Sequence, residues 1–290
     1  MAGSIRICLI ADNFLEDFAQ CVASIRAHTQ TPISIFASGK ENQSVEAMFP
    51  DESVTWQKNK LGWGHSVNHF LNTVTEKYLV IMDPSTNFTG DATTPVLKKL
   101  DEGYQGVGWR GGLMNIEDEW RSVDDRGEGE VDVLFSYFFA MDREFALKAG
   151  GANPSATYYR NADIEMSLAL RAAGGKLWQM ELPLIQGRHH GYHDVDPDYR
   201  EKNSKKNYGR ILEKYRGRTD ISAHSRCLYA RDISRESARN SSWNSSRGIP
   251  HLHRDTRDGV LALMADPSAT TFHRLHVTPM TSQYLHSDNR

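Results

Sequence analysis

The stretch YLVIMDPSTNF, Tyr78 to Phe88, decides how the chain is read. Five apolar residues run without a polar break, as in a strand buried on both faces of a parallel sheet. The run ends by releasing one carboxylate, Asp83, into a loop held extended by Pro84. The residues alone allow two roles for Asp83, an Asx turn that closes a strand or an oxygen ligand for a divalent cation, with Ser85 and Thr86 as weak neutral ligands.

Working outward, the same grammar repeats. IRICLIA (Ile5–Ala11) is a short β-branched run, and Phe14, Phe18, Cys21, Val22 and Ile25 then recur at helical spacing. PISIFAS (Pro32–Ser38) is a second strand, closed by Gly39, and a weak helix near Val45–Phe49 and a strand at SVTWQK follow. The loop NKLGWGHS leads into a helix over about Ser66–Thr75, just before the quoted strand. Strand alternating with helix predicts an α/β fold, Rossmann-like, with a mostly parallel central sheet and helices on both faces. Ligands on such sheets bind beyond the carboxyl ends of the strands, where Asp12, Ser38 and Asp83 fall.

The second half is less regular. TPVLKKLDEG is a helix stopped at Gly103, YQGVGWRGG a strand that meets glycines, and EDEWRSVDDRGEGEV a polar surface loop. Val131–Met141 reads as one strand turning into a helix, and Ala162–Ala173 as a further helix with Asn161 as N-cap and Gly174–Gly175 as stop. KLWQMELPLIQ is the last strand, and GRHHGYHD after it offers imidazoles as candidate metal ligands. After Arg218 the composition turns to Ser, Arg and Asn, so the expected organisation is a domain over 1–218 and a partly irregular extension over 219–290, with one short helix near Asp258–Asp266.

Composition bounds the function. The 290 residues carry 34 Lys and Arg against 37 Asp and Glu, a net charge of -3, which argues against a protein-wide nucleic-acid or membrane footprint. No apolar run approaches the roughly 20 residues that span a bilayer. The start reads as a first strand and not as a signal peptide. Three cysteines without C-x-x-C spacing give neither a disulfide framework nor a zinc site, and a cytoplasmic setting is expected.

Four constellations carry candidate chemistry. Lys60, Gly62, Gly64 and Asn68 form a glycine loop opening a helix, where backbone N–H groups could face an anion or merely need a tight turn. Asp83 is the second. Asp163 and Glu165 open a late helix, where the macrodipole favours acids, and being two residues apart they do not face each other. The fourth is the histidine group with the segment Arg200–Arg218, eight Lys or Arg against two Glu, which suits an anionic partner or a solvated helix face.

In order and spacing, IRICLIADN, NKLGWGHSVNHFL, YLVIMDPST, GWRGG, NADIEMSLALRAAGG and the histidines resemble the inverting GT-A glycosyltransferases, family-2-like, of the bacterial rhamnosyltransferase type, over about Ser4–Arg218. The resemblance implies transfer of a hexose or deoxyhexose from a nucleotide-diphosphate sugar to an acceptor hydroxyl. It implies donor binding by Asp12, Lys60, Gly64, Asn68, Asp83 and Ser85, with Trp109, Gly111, Gly112 and Glu165 beside the sugars. Asp163 would be the general base. A divalent cation, Mn2+ or Mg2+, would be held by Asp83 with His190 or His189. Two departures stand out: the family's acidic triplet is Asp83-Pro84-Ser85 here, and FASGKE has no aspartate to read a nucleobase. A site short of one acid suggests that Lys205, Lys206 and Arg210 close over the donor and partly replace the metal. The alternative is a non-catalytic GT-A domain that binds a nucleotide or glycan. The acceptor is open among a glycan, a lipid-linked sugar, a small molecule and a modified nucleic acid, and a homo-oligomer is allowed.

Overall fold

The computed structural model describes residues 4–11, 14–189 and 193–223. Strand β1 (Ile5–Ala11), helix α1 (Leu15–His28), β2 (Ile33–Ser38), α2 (Val45–Met48), β3 (Ser53–Gln57), α3 (Trp63–Thr73) and β4 (Tyr78–Met82) follow the expected alternation. Next come β5 (Thr86–Phe88), α4 (Thr93–Asp101), β6 (Gly106–Gly108), β7 (Gly111–Met114), β8 (Val123–Asp124), β9 (Gly129–Val131), β10 (Val133–Leu134), β11 (Phe138–Asp142) and α5 (Arg143–Lys148). The described residues end with α6 (Ala162–Ala172), β12 (Leu177–Gln179), β13 (Leu184–Gln186) and α7 (Pro197–Tyr215).

Eight strands form one sheet in the order β3-β2-β1-β4-β11-β6-β12-β9. Its first four strands are mutually parallel. Strand β11 then runs antiparallel between β4 and β6, with Phe138 opposite Met82. All five residues of β4 are buried, because both faces of the strand are covered. The alternation of β1 shows how. Ile5, Ile7 and Leu9 pack with Phe18, Cys21 and Ile25 of α1, while Cys8 packs with Val67, Phe70 and Leu71 of α3. Burial pushes the thiols of Cys8 and Cys21 up, so both behave as apolar core atoms.

Three expected elements divide. The strand expected over Tyr104–Gly112 becomes β6 and β7, and β7 leaves the main sheet to pair with β10 and β8. A Cβ on Gly111 would lie 2.2 Å from Val133 O, so only a residue without one allows that approach. The expected strand Val131–Met141 is β9, β10 and β11, and KLWQMELPLIQ becomes β12 and β13, with β13 pairing with β5 instead of the main sheet.

The late helix starts as expected but is capped differently. Asn161 takes a left-handed conformation (φ 66°), its side chain accepts no cap bond, and its Nδ2 donates to Ser204 O at 3.2 Å on α7. True side-chain caps occur elsewhere. Asp142 accepts from Phe145 N at 2.8 Å, and Asp196 from Asp198 N at 3.0 Å with Pro197 behind it.

The described chain continues past the expected boundary at Arg218 into the same packing. Ile221 joins Trp120, Ile211 and Tyr215, Arg171 Nε donates to Ile221 O at 2.9 Å, and Ala223 N donates to Asp132 Oδ1 at 2.5 Å. The rest of the expected extension, including the helix near Asp258, lies outside the described residues. Among the described residues no helix is long and apolar enough to cross a membrane.

Candidate functional site

A cavity of about 550 Å³ opens where β1, β2 and β4 end, at Ala11, Ser38 and Asp83. This is the carboxyl edge of the parallel strands, the place where the sheet's connections leave a crevice. Its walls are aromatic: Phe14, Trp63, Tyr158, Tyr159 and Tyr199. Asp83, Asp194 and Asp196 supply carboxylates, and among the described residues Lys60 is the one Lys or Arg in the lining.

The turn reading of Asp83 holds, and it leaves one carboxylate oxygen over. Oδ1 accepts from Ser85 N at 2.8 Å and Ser85 Oγ at 2.5 Å, which is the Asx turn. Oδ2 remains on the other side and lies 3.7 Å from His189 Nε2. His189 is buried, its ring packed against Tyr159 and Tyr137 at 5.0 and 5.6 Å between centroids. Among the described residues neither of its ring nitrogens has a hydrogen-bond partner. A buried imidazole with two idle nitrogens beside a carboxylate is costly unless something completes it. Of the two histidines expected as accessory ligand, His190 lies outside the described residues and His189 stands here; Asp12 also lies outside them.

The glycine loop serves packing. Gly64 N donates to Ala156 O at 2.8 Å and Trp63 N to Thr157 O at 3.3 Å, so these amides are already paired. A Cβ on Gly64 would lie 1.9 Å from Asn153 O, which is why the position needs glycine. Asn68 is a two-way pin on the same segment, donating to Ala152 O at 2.7 Å and accepting from Ala152 N at 2.9 Å. Lys60 does face the cavity, with its Nζ 3.0 Å from Glu41.

The other expected residues sit apart from the cavity lining. Trp109 is in the core with Arg110 over its ring at 4.4 Å, and Gly111 and Gly112 are spent on strand contact. Ser85 holds the Asp83 turn. Glu165 is buried and bound by Arg210 Nε at 3.0 Å, Lys214 Nζ at 2.6 Å and Asn153 Nδ2 at 2.9 Å. That ties Arg210 to α6, and Lys205 and Lys206 are exposed on α7; none of the three lines the cavity.

Asp163 is fully buried behind the lining. Its Oδ2 accepts from Ser136 N and Oγ at 3.0 and 3.3 Å, and Oδ1 from Ile164 N at 2.9 Å. Burial pushes its carboxyl up to about 6, against the pull of those donors. Ser136 itself lines the cavity. It went unread in the sequence, although a serine breaking the apolar run of LFSYFF was a signal; Tyr158 and Tyr159 were likewise legible as a pair beside the late helix.

Among the described residues no group of three or more His, Cys, Asp and Glu is arranged to hold a metal ion. No protein-family model matches the sequence, and no curated protein does. Solved structures do match. GalNAc-T7 with UDP, GalNAc and Mn2+ superposes with a TM-score of 0.56 at 13% identity, over 73% of this chain and 48% of that one. A mannosyltransferase, PcManGT from Pyrobaculum calidifontis, in complex with GDP-Man and Mn2+, gives 0.46 at 13% identity over 62% and 55%. The chain thus spans about half the length of each. At this identity the first likeness shows the fold, and the fold is the GT-A α/β architecture that the sequence predicted.

Proposed function

We propose that the chain transfers a sugar from a nucleotide-diphosphate sugar, bound in the cavity at the ends of β1, β2 and β4, to an acceptor hydroxyl with inversion, and that Asp163 is the general base. The observation that carries this reading is Asp83, which lines an aromatic cavity and has the buried, unpartnered imidazole of His189 3.7 Å behind it. Aromatic faces suit a nucleobase or a sugar ring. The two idle nitrogens and the free Asp83 oxygen fit a divalent cation.

Asp83 and His189 would hold that cation, which supplies positive charge to the departing diphosphate. Among the described residues Lys60 is the one Lys or Arg in the lining, and its Nζ is paired with Glu41 at 3.0 Å, while Lys205 and Lys206 of α7 do not line the cavity. Donor binding is therefore expected to depend strictly on the metal. Thermal-shift titration with UDP-GalNAc, UDP-glucose and GDP-mannose tests this. Stabilisation that requires Mn2+, and is lost in D83N and H189A, supports the reading; equal stabilisation without Mn2+ refutes the metal assignment.

One observation favours a second reading. Asp163 has no surface in the cavity, as suits a domain that binds a donor without transferring it. A folded D163N variant that binds donor and loses turnover excludes that alternative, whereas a wild-type protein that binds donor and never releases nucleotide establishes it.

A further inference from the structure

Asp163 is 0% exposed, and the group standing between it and the cavity is Ser136. Both Ser136 donors point at one oxygen, Asp163 Oδ2. Ser136 lies two residues before β11, whose Phe138 is opposite Met82 of β4. The ladder ends at that pair, and Ser136 lines the same cavity as Asp83 and Pro84, which follow Met82. A serine hydroxyl thus joins the buried carboxylate to the turn where the donor's diphosphate is proposed to sit. Of the other carboxylates of the cavity, Asp194 is engaged with Arg188 at 2.9 and 2.5 Å and Asp196 caps α7, while Asp83 has one oxygen in its turn and the other assigned to the cation.

We propose that Ser136 is a catalytic residue that relays the acceptor's proton to Asp163, an inference that rests on Asp163 being the base. The acceptor O–H gives its proton to Ser136 Oγ as the Ser136 Oγ–H passes its own to Asp163 Oδ2. The acceptor oxygen forms its bond to the anomeric carbon while the bond from that carbon to the diphosphate oxygen breaks. The electron pair of that bond leaves with the nucleoside diphosphate. Ser136 ends as it began and Asp163 ends protonated, to lose the proton to solvent before the next turnover. The relay explains why a carboxylate with no exposed surface keeps a serine aimed at it. Burial raises that carboxyl to about 6, nearer neutrality than an ordinary aspartate and so a stronger base.

The test uses the full chain with Mn2+ and the donors UDP-GalNAc, UDP-glucose and GDP-mannose, water serving as acceptor and nucleotide release as readout. S136A is expected to lower kcat about 10- to 100-fold on the best donor, with the donor's Kd unchanged. S136T, which keeps a hydroxyl, is expected to recover most of that loss. The acid limb of the wild-type profile should lie near pH 6 and move upward in S136A, because a donor to the carboxylate is gone. S136A at full rate with D163N inactive overturns the relay and leaves the base standing. S136A and S136T equally slow assigns Ser136 a packing role and overturns the relay too. D163N at full rate, or no nucleotide release from any of the three donors, overturns the base reading and the relay with it.

Discussion

Asp163 and Glu165 are two buried carboxylates in the first turn of one helix, and they are held in opposite ways. Glu165 is ringed by Arg210, Lys214 and Asn153, so its charge is answered within the fold. Among the described residues Asp163 accepts from neutral donors, Ser136 and Ile164 N, and desolvation raises its carboxyl. A carboxylate met by two cations fastens α7 to α6. One left with amides and a hydroxyl can change its protonation state, which is what a base must do.

Breaking the Glu165 side of the comparison should have the largest effect on stability. E165A strands Arg210, which is 19% exposed at its side chain, and Lys214, which is half exposed. A fully buried pair broken this way costs 3–5 kcal/mol; with Lys214 partly in water, about 2–4 kcal/mol is expected. Thermal denaturation should show a fall of roughly 5–12 °C. A fall under about 2 °C would mean that the network does not hold α7 to α6.

The Asp163 side should appear in the pH dependence. Its folded value, about 6, lies above the ordinary 3.8, so the native state holds a proton that the unfolded chain has lost. The stability this gives is full below about pH 3.8 and is lost as pH rises through about 6. Two units correspond to about 3 kcal/mol between those limits. Urea unfolding at pH 4.5 to 7.5 should show this slope in the wild type and a flatter one in D163N. Identical slopes would show that Asp163 titrates as it does in the unfolded chain.

These two residues also mark what the sequence can disclose. Their place at a helix start was legible from NADIE, and so was the fact that they do not face one another. Which of them would meet cations was not, because Arg210 and Lys214 reach Glu165 across 45 and 49 residues of chain. The strands β1, β2 and β4 were legible because strands buried on both faces read as apolar runs. The division of β6 from β7 was not, because it is set by pairing with β10, whose partner is chosen by tertiary contact. Gly64 was legible as part of a glycine loop opening a helix, for an anion or for a tight turn. Phosphate approach and backbone approach leave the same mark in sequence, and the neighbour proved to be Asn153 O. Asp83 was legible as a turn residue, since a short acid at a strand end can close a turn with one oxygen, and the turn leaves its second oxygen beside His189.

A smaller effect separates the two donors on Asp163. S136A removes the 3.3 Å hydroxyl bond and keeps the 3.0 Å amide bond, so the fold should lose only about 0.5–1.5 kcal/mol. The pH slope should persist with its midpoint moved upward. A loss as large as that of E165A would mean that Ser136 holds the β10–β11 turn in place, and its kinetic effect would then need that explanation.

The smallest expected effect is none. Lys205 and Lys206 belong to the basic segment that the sequence offered as a substitute for the metal, yet both are exposed and neither lines the cavity. Their helix already spends Arg210 and Lys214 on Glu165. Charge reversal in K205E/K206E should leave donor affinity, read by thermal shift with Mn2+ at about 0.15 M salt, within about twofold of wild type, because exposed charges act weakly beyond a screening length of about 8 Å. A tenfold loss would place the basic face of α7 within reach of the diphosphate. It would also reverse the assignment made from Glu165, since the helix would then be held for what it binds as well as for how it packs.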